Sequence, residues 1–80
     1  MNIYVGNLSY KVRENDLNGI LAEYGAVESC KIIKDRDTGR SKGFAFVEMS
    51  DEGGAKAISE LNGAEFDGRQ MVMKEAIPRN

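Results

Sequence analysis

The sequence predicts an α+β fold of order βαββαβ, in which a four-stranded antiparallel sheet carries two helices on one face in the split βαβ arrangement. Aromatic and aliphatic residues alternate in the segments 2–6 and 42–49, which is typical of strands with one buried face. Two further segments carry apolar residues at helical spacing. The 80 residues are 41% apolar and 30% charged, as in one small folded domain. We therefore expect a single domain over 1–80, with a core from about 2 to 76 and a short C-terminal tail over 77–80.

The first strand is predicted over Asn2–Gly6, where two aliphatic side chains face the core and Tyr4 points to the opposite side. The first helix is predicted over Asn15–Tyr24, and Gly25 stands where a left-handed cap would end it. The apolar stripe of this helix consists of Leu17, Ile20, Leu21 and Tyr24.

The second and third strands are predicted to form a hairpin. Val27–Lys34 is the second strand, and residues 42–49, Lys-Gly-Phe-Ala-Phe-Val-Glu-Met, lie in the third. The residues between them, Asp35–Arg40, have the composition of a turn. Phe44 and Phe46 are two residues apart, so both must lie on the face of the sheet that carries Tyr4.

The second helix is predicted over Asp51–Leu61, with Ser50 or Asp51 as its N-cap. Its inward side chains are expected to be Ala55, Ile58 and Leu61. A turn at Asp67-Gly68 then leads into a last strand over Arg69–Glu75. The other large side chains assigned to the core are Tyr24, Phe66, Met71 and Met73.

Residues 3–8, Ile-Tyr-Val-Gly-Asn-Leu, and residues 42–49 together resemble the two strand motifs of the RNA recognition motif (RRM) family. The family's octapeptide is Lys/Arg-Gly-Phe/Tyr-Gly/Ala-Phe-Val-x-Phe/Tyr, and only Met49 departs from it. Met49 has inward parity, where a methionine packs readily. The resemblance covers the chain from Asn2 to about Ala76 and implies the family's ferredoxin-like fold.

This resemblance implies binding of single-stranded RNA on the open face of the sheet. Tyr4 and Phe46 are each expected to stack a base, and Phe44 to pack against sugars or a base between them. Basic side chains would hold the RNA backbone, while side chains of the last strand would read base edges. The residues expected beside the three aromatic rings are Lys31, Ile33, Arg40, Lys42, Gln70 and Lys74. Tyr10 follows the first strand, and packing against a helix is favoured there over contact with a ligand.

The net charge of −2 opposes binding to phosphates, but its distribution does not. Residues 31–46 carry five basic and two acidic side chains, so their net charge is +3 and that of the remaining residues is −5. Basic charge is thus concentrated near the predicted aromatic face, which favours a nucleic-acid partner of modest affinity.

Enzymatic chemistry has little support in the residues. The chain has no histidine and one cysteine, Cys30, which excludes an internal disulfide and a zinc site built from cysteine and histidine. No serine stands in a nucleophile elbow. Small enzymes such as acylphosphatases share the split βαβ layout, but the two strand motifs argue against them. We expect a protein that is not an enzyme and has neither a cofactor nor a small-molecule substrate.

The sequence has no apolar run long enough for a membrane span and no secretory signal, so we expect a cytoplasmic monomer. It resembles the small stand-alone RRM proteins of bacteria. Two alternatives stay open: an RRM-like module that binds another protein through the sheet or the acidic helical face, and binding of single-stranded DNA in place of RNA. The sequence names neither the RNA target nor the cellular process.

Overall fold

The computed structural model describes residues 1–76 of the chain and confirms the predicted α+β architecture. The predicted tail over 77–80 lies outside the described residues. The elements in chain order are β1 Asn2–Gly6, α1 Glu14–Leu21, β2 Val27–Lys34, β3 Ser41–Met49, α2 Asp51–Leu61, β4 Glu65–Phe66, β5 Arg69–Gln70 and β6 Val72–Glu75. Four of the strands form an antiparallel sheet in the order β2-β3-β1-β6. Neither helix in residues 1–76 is long and apolar enough to cross a membrane.

One hydrophobic core lies between the sheet and the helices. Ile3 and Val5 from β1 are fully buried, and so are Leu17 and Leu21 from α1 and Ala57 from α2. The remaining buried side chains of this cluster are Leu8, Val12, Ile32, Ala45, Val47, Met49, Met71 and Met73. The predictions that all three of these methionines face inward are confirmed. Both helices of residues 1–76 contribute their apolar sides to this single core, so within these residues the opposite face of the sheet carries no helix.

The first helix is shorter than predicted, and its end differs. It spans Glu14–Leu21, and the backbone N–H of Tyr24 donates to the carbonyl of Leu21, three residues earlier, at 2.9 Å. The chain therefore tightens into a turn before Tyr24, whose side chain is half-buried against the core. The prediction of a left-handed cap at Gly25 is wrong, since its φ is not positive. A Cβ on Gly25 would instead come within 3.0 Å of the Cα of Gly53, so this glycine allows α2 to approach closely.

The second helix has the predicted bounds but a different buried stripe. Ser50 is the N-cap, and its hydroxyl accepts a hydrogen bond from the N–H of Gly53 at 3.3 Å. Ala55 is exposed, so its predicted inward position is wrong. The inward side chains are those of Ala57, fully buried, and of Ile58 and Leu61, which are half-buried. Gly53 and Gly54 are also buried on this stripe. Because glycine has no side chain, the spacing of apolar residues in the sequence does not reveal these two positions.

The predicted last strand over Arg69–Glu75 is wrong as a single element. Asp67 and Gly68 both have positive φ, 53° and 82°, and they turn β4 back into β5 as a separate two-stranded hairpin. Met71 interrupts the pairing because its N–H donates to the carbonyl of Ala64 at 2.9 Å. The chain then enters the main sheet as β6, whose pairing with β1 brings Lys74 beside Tyr4.

Candidate nucleic-acid interface

Four side chains form one row across the open face of the sheet. The strand register pairs Tyr4 of β1 with Phe46 of β3, and it also pairs Tyr4 with Lys74 of β6. Lys31 of β2 is paired with Phe46 from the other side. The row therefore reads lysine, phenylalanine, tyrosine, lysine across the four strands. Two aromatic rings stand in the middle of the sheet with an ammonium group at each end.

Three rings cluster on this face, and we call Tyr4, Phe44 and Phe46 the aromatic platform. The ring centroids of Tyr4 and Phe46 are 5.8 Å apart at 61°, and those of Tyr4 and Phe44 are 6.1 Å apart at 32°. The rings of Phe44 and Phe46 meet at 87° with centroids 6.1 Å apart. Tyr4 and Phe44 are half-buried by these contacts, while Phe46 stays 43% exposed. Such distances are typical of attractive aromatic pairs, so the rings hold one another in place.

Two neighbours define the position of the Tyr4 ring. A Cβ built on Gly6 would lie 2.5 Å from the Tyr4 hydroxyl oxygen and 2.8 Å from ring carbon Cε2, so the ring lies directly over this glycine. The ammonium of Lys74 lies 5.4 Å from the ring centroid, within the range of a cation–π contact. Gly6 therefore leaves the space that the ring occupies, and Lys74 carries positive charge to the same ring.

The margins of the platform are mixed in character. Ile33 of β2 is half-buried, and Val72 of β6 is 44% exposed beside Gly6. Glu48 lies along β3 on the same face as Phe46 and is exposed. Ile33 and Val72 extend the apolar surface around the rings, while the Glu48 carboxylate places one negative charge two residues after Phe46 in β3.

Arg40 and Lys42 lie beyond the platform, at the end of β3 that follows the hairpin turn. Both line a groove between this hairpin and the β1–α1 loop, together with Tyr10. Gly43 has a φ of 85°, and the strand pairing shifts between Ile32 and Lys34 opposite it. This irregularity of the strand is a β-bulge, which bends β3 where the platform ends.

Tyr10 does not pack against a helix, so that prediction is wrong. Its side chain is 66% exposed, and a Cβ on Gly43 would lie 3.3 Å from its ring carbon Cε1. The guanidinium of Arg69 stands 5.8 Å from the centroid of the Tyr10 ring. Sequence reasoning missed Arg69, because its neighbour Tyr10 is 59 positions away and only the β4–β5 hairpin brings them together.

Gln70 lies in the small hairpin and outside the four-stranded sheet. Its backbone carbonyl accepts a hydrogen bond from the Asn7 side-chain amide at 2.7 Å. The Asn7 side-chain oxygen in turn accepts one from Arg69 at 3.0 Å. Asn7 has a φ of 55°, in the left-handed region, and so supports the turn after β1. The Gln70 side chain is exposed at the margin of the sheet, outside the row that contains Lys31 and Lys74.

The thiol of Cys30 points away from the open face of the sheet. The Cys30 thiol lies 3.8 Å from the backbone oxygen of Glu14, and partial burial together with the Glu14 carboxylate raises its pKa. A thiol with a raised pKa stays protonated at neutral pH and is a poor nucleophile. The open face therefore offers stacking surface and positive charge, while the Cys30 thiol lies on the other side of the sheet.

Comparison with known proteins gives consistent matches. The family model described as RNA recognition motif matches residues 3–72. RbpD, an inferred RNA-binding protein of the cyanobacterium Nostoc sp. (strain PCC 7120), is 51% identical over 80 residues, covering 99% of this chain and 85% of that protein. The crystal structure of RNA binding protein PG1 matches with a TM-score of 0.93 and 59% identity, over 100% of this chain and 98% of that one. The structure of the Rna15 RRM with bound RNA (GU) matches with a TM-score of 0.84 and 32% identity, over 94% of this chain and 81% of that one.

Proposed function

The chain belongs to the RNA recognition motif family, a non-enzymatic class of RNA-binding domains, and we propose that it binds single-stranded RNA on the aromatic platform. The observation that carries this proposal is the row of Lys31, Phe46, Tyr4 and Lys74 across the sheet. Aromatic rings on a flat sheet stack unpaired bases, and flanking cations bind the phosphates that connect them.

Each residue of the site has a proposed role. Phe46 and Tyr4 each stack one base, and Phe44 packs against the sugars or a base between them. Lys31 and Lys74 lie beside the stacked bases, where their ammonium groups reach the backbone or a base edge. The expected footprint on the platform is two or three nucleotides. Ile33 extends the apolar surface at one margin, Gln70 is available to a base edge at the other, and Arg40 and Lys42 bind the backbone where the strand leaves the platform.

Binding of a mixed-sequence RNA trinucleotide, followed by amide chemical shifts and by fluorescence anisotropy, tests this assignment. Tyr4→Ala and Phe46→Ala are each expected to cost about 1–3 kcal/mol of binding free energy, because each removes the ring under one base. Lys31→Ala should also lower the salt dependence, since each lost phosphate contact reduces the log–log slope by about 0.7 on a single strand. Lys56→Ala is the matched control, because Lys56 is exposed on α2, on the other side of the sheet.

Four outcomes separate the proposal from its alternatives. Loss of affinity in the platform variants but not in Lys56→Ala supports RNA binding on this face. Equal affinity for a DNA trinucleotide of the same sequence assigns the platform to single strands in general, since stacking does not depend on the sugar. Unchanged affinity in both platform variants contradicts the assignment, and salt-independent affinity favours a protein-binding module.

We also propose the cytoplasm as the site of this activity and a monomer as its state, which cell fractionation and sedimentation test.

A further inference from the structure

A second row of side chains crosses the open face of the sheet beside the platform. The strand register pairs Glu48 of β3 with Asn2 of β1 and with Ser29 of β2, and we call these three residues the polar row. All three are exposed. Each stands two residues along its strand from a member of the row that contains Phe46 and Tyr4, so all three share the open face. The proposed function does not use the polar row.

Glu48 is the charged member of the polar row, and it adjoins the most exposed ring of the platform. It follows Phe46 by two residues in β3, a separation of about 6.4–6.8 Å along a strand. The other neighbours of the Phe46 ring are the rings of Tyr4 and Phe44 and the side chain of Lys31. A base stacked on Phe46 extends beyond the phenyl ring beneath it. Its edge therefore comes within reach of the Glu48 carboxylate.

The Glu48 carboxylate has no charged partner of its own. The carboxylates of Glu14 and Asp35 accept hydrogen bonds from backbone N–H groups, and Asp51 pairs with the N-terminal ammonium at 3.0 Å. Within residues 1–76, by contrast, Glu48 forms no ion pair. Its two partners in the strand register carry an uncharged amide and an uncharged hydroxyl. Both oxygens of this carboxylate are therefore open to a ligand on the face of the sheet.

The position of Glu48 is the one that the octapeptide of the family leaves unspecified between Val and the last aromatic residue. Stacking on the platform therefore does not require a carboxylate there. An ionised carboxylate only accepts hydrogen bonds, and its charge repels the phosphates of the backbone. An RNA that passes Glu48 is consequently favoured when it presents the donors of a base edge to this residue.

The four bases differ in the donors that they offer to a carboxylate. The Watson–Crick edge of guanine presents N1–H and the N2 amino group side by side, and these two donors match two carboxylate oxygens. Cytosine and adenine each present one amino group beside a ring nitrogen that accepts. Uracil presents N3–H between two carbonyl oxygens, which a carboxylate repels. Guanine is thus the base that Glu48 fits best, and uracil is the one that it fits least.

We propose that Glu48 gives the platform a preference for guanine at the nucleotide stacked on Phe46, by accepting hydrogen bonds from N1–H and the N2 amino group of that base. This inference rests on the proposed function, because the base must first stack on Phe46. It adds to that function a base preference, and it assigns the preference to one side chain that takes no part in stacking.

The test compares a uridine trinucleotide with three variants that carry one guanosine, at the first, second or third position. The parent should bind the best of these roughly 5- to 150-fold more tightly than the uridine trinucleotide, the discrimination expected of one bidentate contact. Inosine in place of that guanosine removes only the N2 amino group, so its affinity should lie between the two. This comparison is made on the parent protein and depends on no variant.

Glu48→Gln separates base reading from simple repulsion. It should lower the affinity for the guanosine trinucleotide without lowering that for the uridine trinucleotide, because the amide keeps one acceptor and loses the charge. Glu60→Gln is the matched control, since Glu60 is exposed on α2 on the other side of the sheet, and it should bind both RNAs as the parent does. Phe46→Ala should abolish the preference, whereas Tyr4→Ala should weaken both RNAs by the same factor.

Three results would overturn the proposal. These are equal affinity of the parent for guanosine and uridine trinucleotides, a guanosine preference that survives in Glu48→Gln, and an equal rise for both RNAs in that variant, which is the effect of a lost negative charge alone. In each case the proposed function still stands if Tyr4→Ala and Phe46→Ala weaken binding. If the parent binds none of the trinucleotides, the proposed function fails, and the guanine preference fails with it.

Discussion

Gly6→Ala is expected to weaken RNA binding without unfolding the domain, although the new methyl group touches no RNA. The Cβ would come 2.5 Å from the hydroxyl oxygen of Tyr4, 2.8 Å from Cε2 and 2.9 Å from Cζ. Real Cβ atoms do not approach other atoms so closely, so the Tyr4 ring must swing away. The clash involves only the far end of one side chain, and Gly6 does not have a positive φ. The backbone therefore accepts alanine without strain.

The loss of binding free energy in Gly6→Ala cannot exceed what the Tyr4 ring and its contacts contribute. Displacing Tyr4 removes the stacking of one base, about 1–3 kcal/mol, which corresponds to roughly 5- to 150-fold in Kd. The Lys74 ammonium also loses its cation–π contact, worth about 0.5–1 kcal/mol at an exposed site. Stability should change little, because replacing a strand glycine with alanine contributes roughly 0.5–1 kcal/mol in its favour. That gain offsets the weakened contacts of Tyr4 with Phe44 and Phe46.

The assay is a trinucleotide titration with thermal melts run in parallel. Gly19→Ala is the matched glycine control: a Cβ there meets nothing within 4 Å, so it should bind as the parent does and melt higher, with about 1 kcal/mol of added helix stability. The double variant Tyr4→Ala with Gly6→Ala should lose no more affinity than Tyr4→Ala alone, because both changes remove the same ring. Additive losses, or parental affinity in Gly6→Ala, would refute the argument that Gly6 acts through Tyr4.

Three further results are expected from the remaining contacts. Gly53→Ala should lower the melting temperature and reduce the free energy of unfolding by about 1–3 kcal/mol. The new Cβ would meet the Tyr24 carbonyl oxygen at 2.7 Å, and backbone cannot move aside as a side chain can. Phe66→Ala should cost about 2 kcal/mol in a urea melt, below the usual range for a fully buried phenylalanine, since this ring is only half-buried; a loss no larger than that of Phe46→Ala would contradict its place in the core. The pKa of Asp35 is lowered, so its ionised form stabilises the hairpin turn. This stabilisation is fully present above the ordinary carboxyl pKa, and it is lost as the pH falls through the lowered pKa. The amide signals of residues 37 and 38 should therefore shift below about pH 4, and those signals should stay flat across that range in Asp35→Asn.

The strand residues of the platform could be predicted from the sequence because a strand alternates its side chains with a period of two. Once Ile3, Val5 and Val47 are assigned to the core, Tyr4 and Phe46 have only one other face available. The same constraint excludes a register shifted by one residue, which would bury the aromatic set. The fold and the central part of the site can therefore be predicted from the sequence alone.

The features that the sequence did not predict depend on contacts between distant segments. Gly25 and Gly53 leave room for the close approach of the chain after α1 to the first turn of α2, and Gly54 leaves room for the side chains of Met1 and Ile3. The last strand divides at Met71, whose N–H is bonded to Ala64 after α2. The neighbours of the Tyr10 ring, Gly43 and Arg69, come from two other elements that are distant in the sequence. No local pattern encodes such contacts, because each depends on residues that only the folded chain brings together.

The low net charge of the chain is compatible with RNA binding because charge acts locally. At 0.15 M salt the screening length is about 8 Å. A phosphate in the groove between the β2–β3 hairpin and the β1–α1 loop therefore responds mainly to the five cations that line it, Lys11, Arg13, Lys34, Arg40 and Lys42. The two carboxylates in the groove, those of Glu14 and Asp35, accept hydrogen bonds from backbone N–H groups and, within residues 1–76, form no ion pair with the cations. The acidic remainder of the surface still repels a second phosphate chain and any RNA in the wrong orientation. RNA should therefore bind at the platform and at the basic side chains beside it, and its affinity should fall as the salt concentration rises.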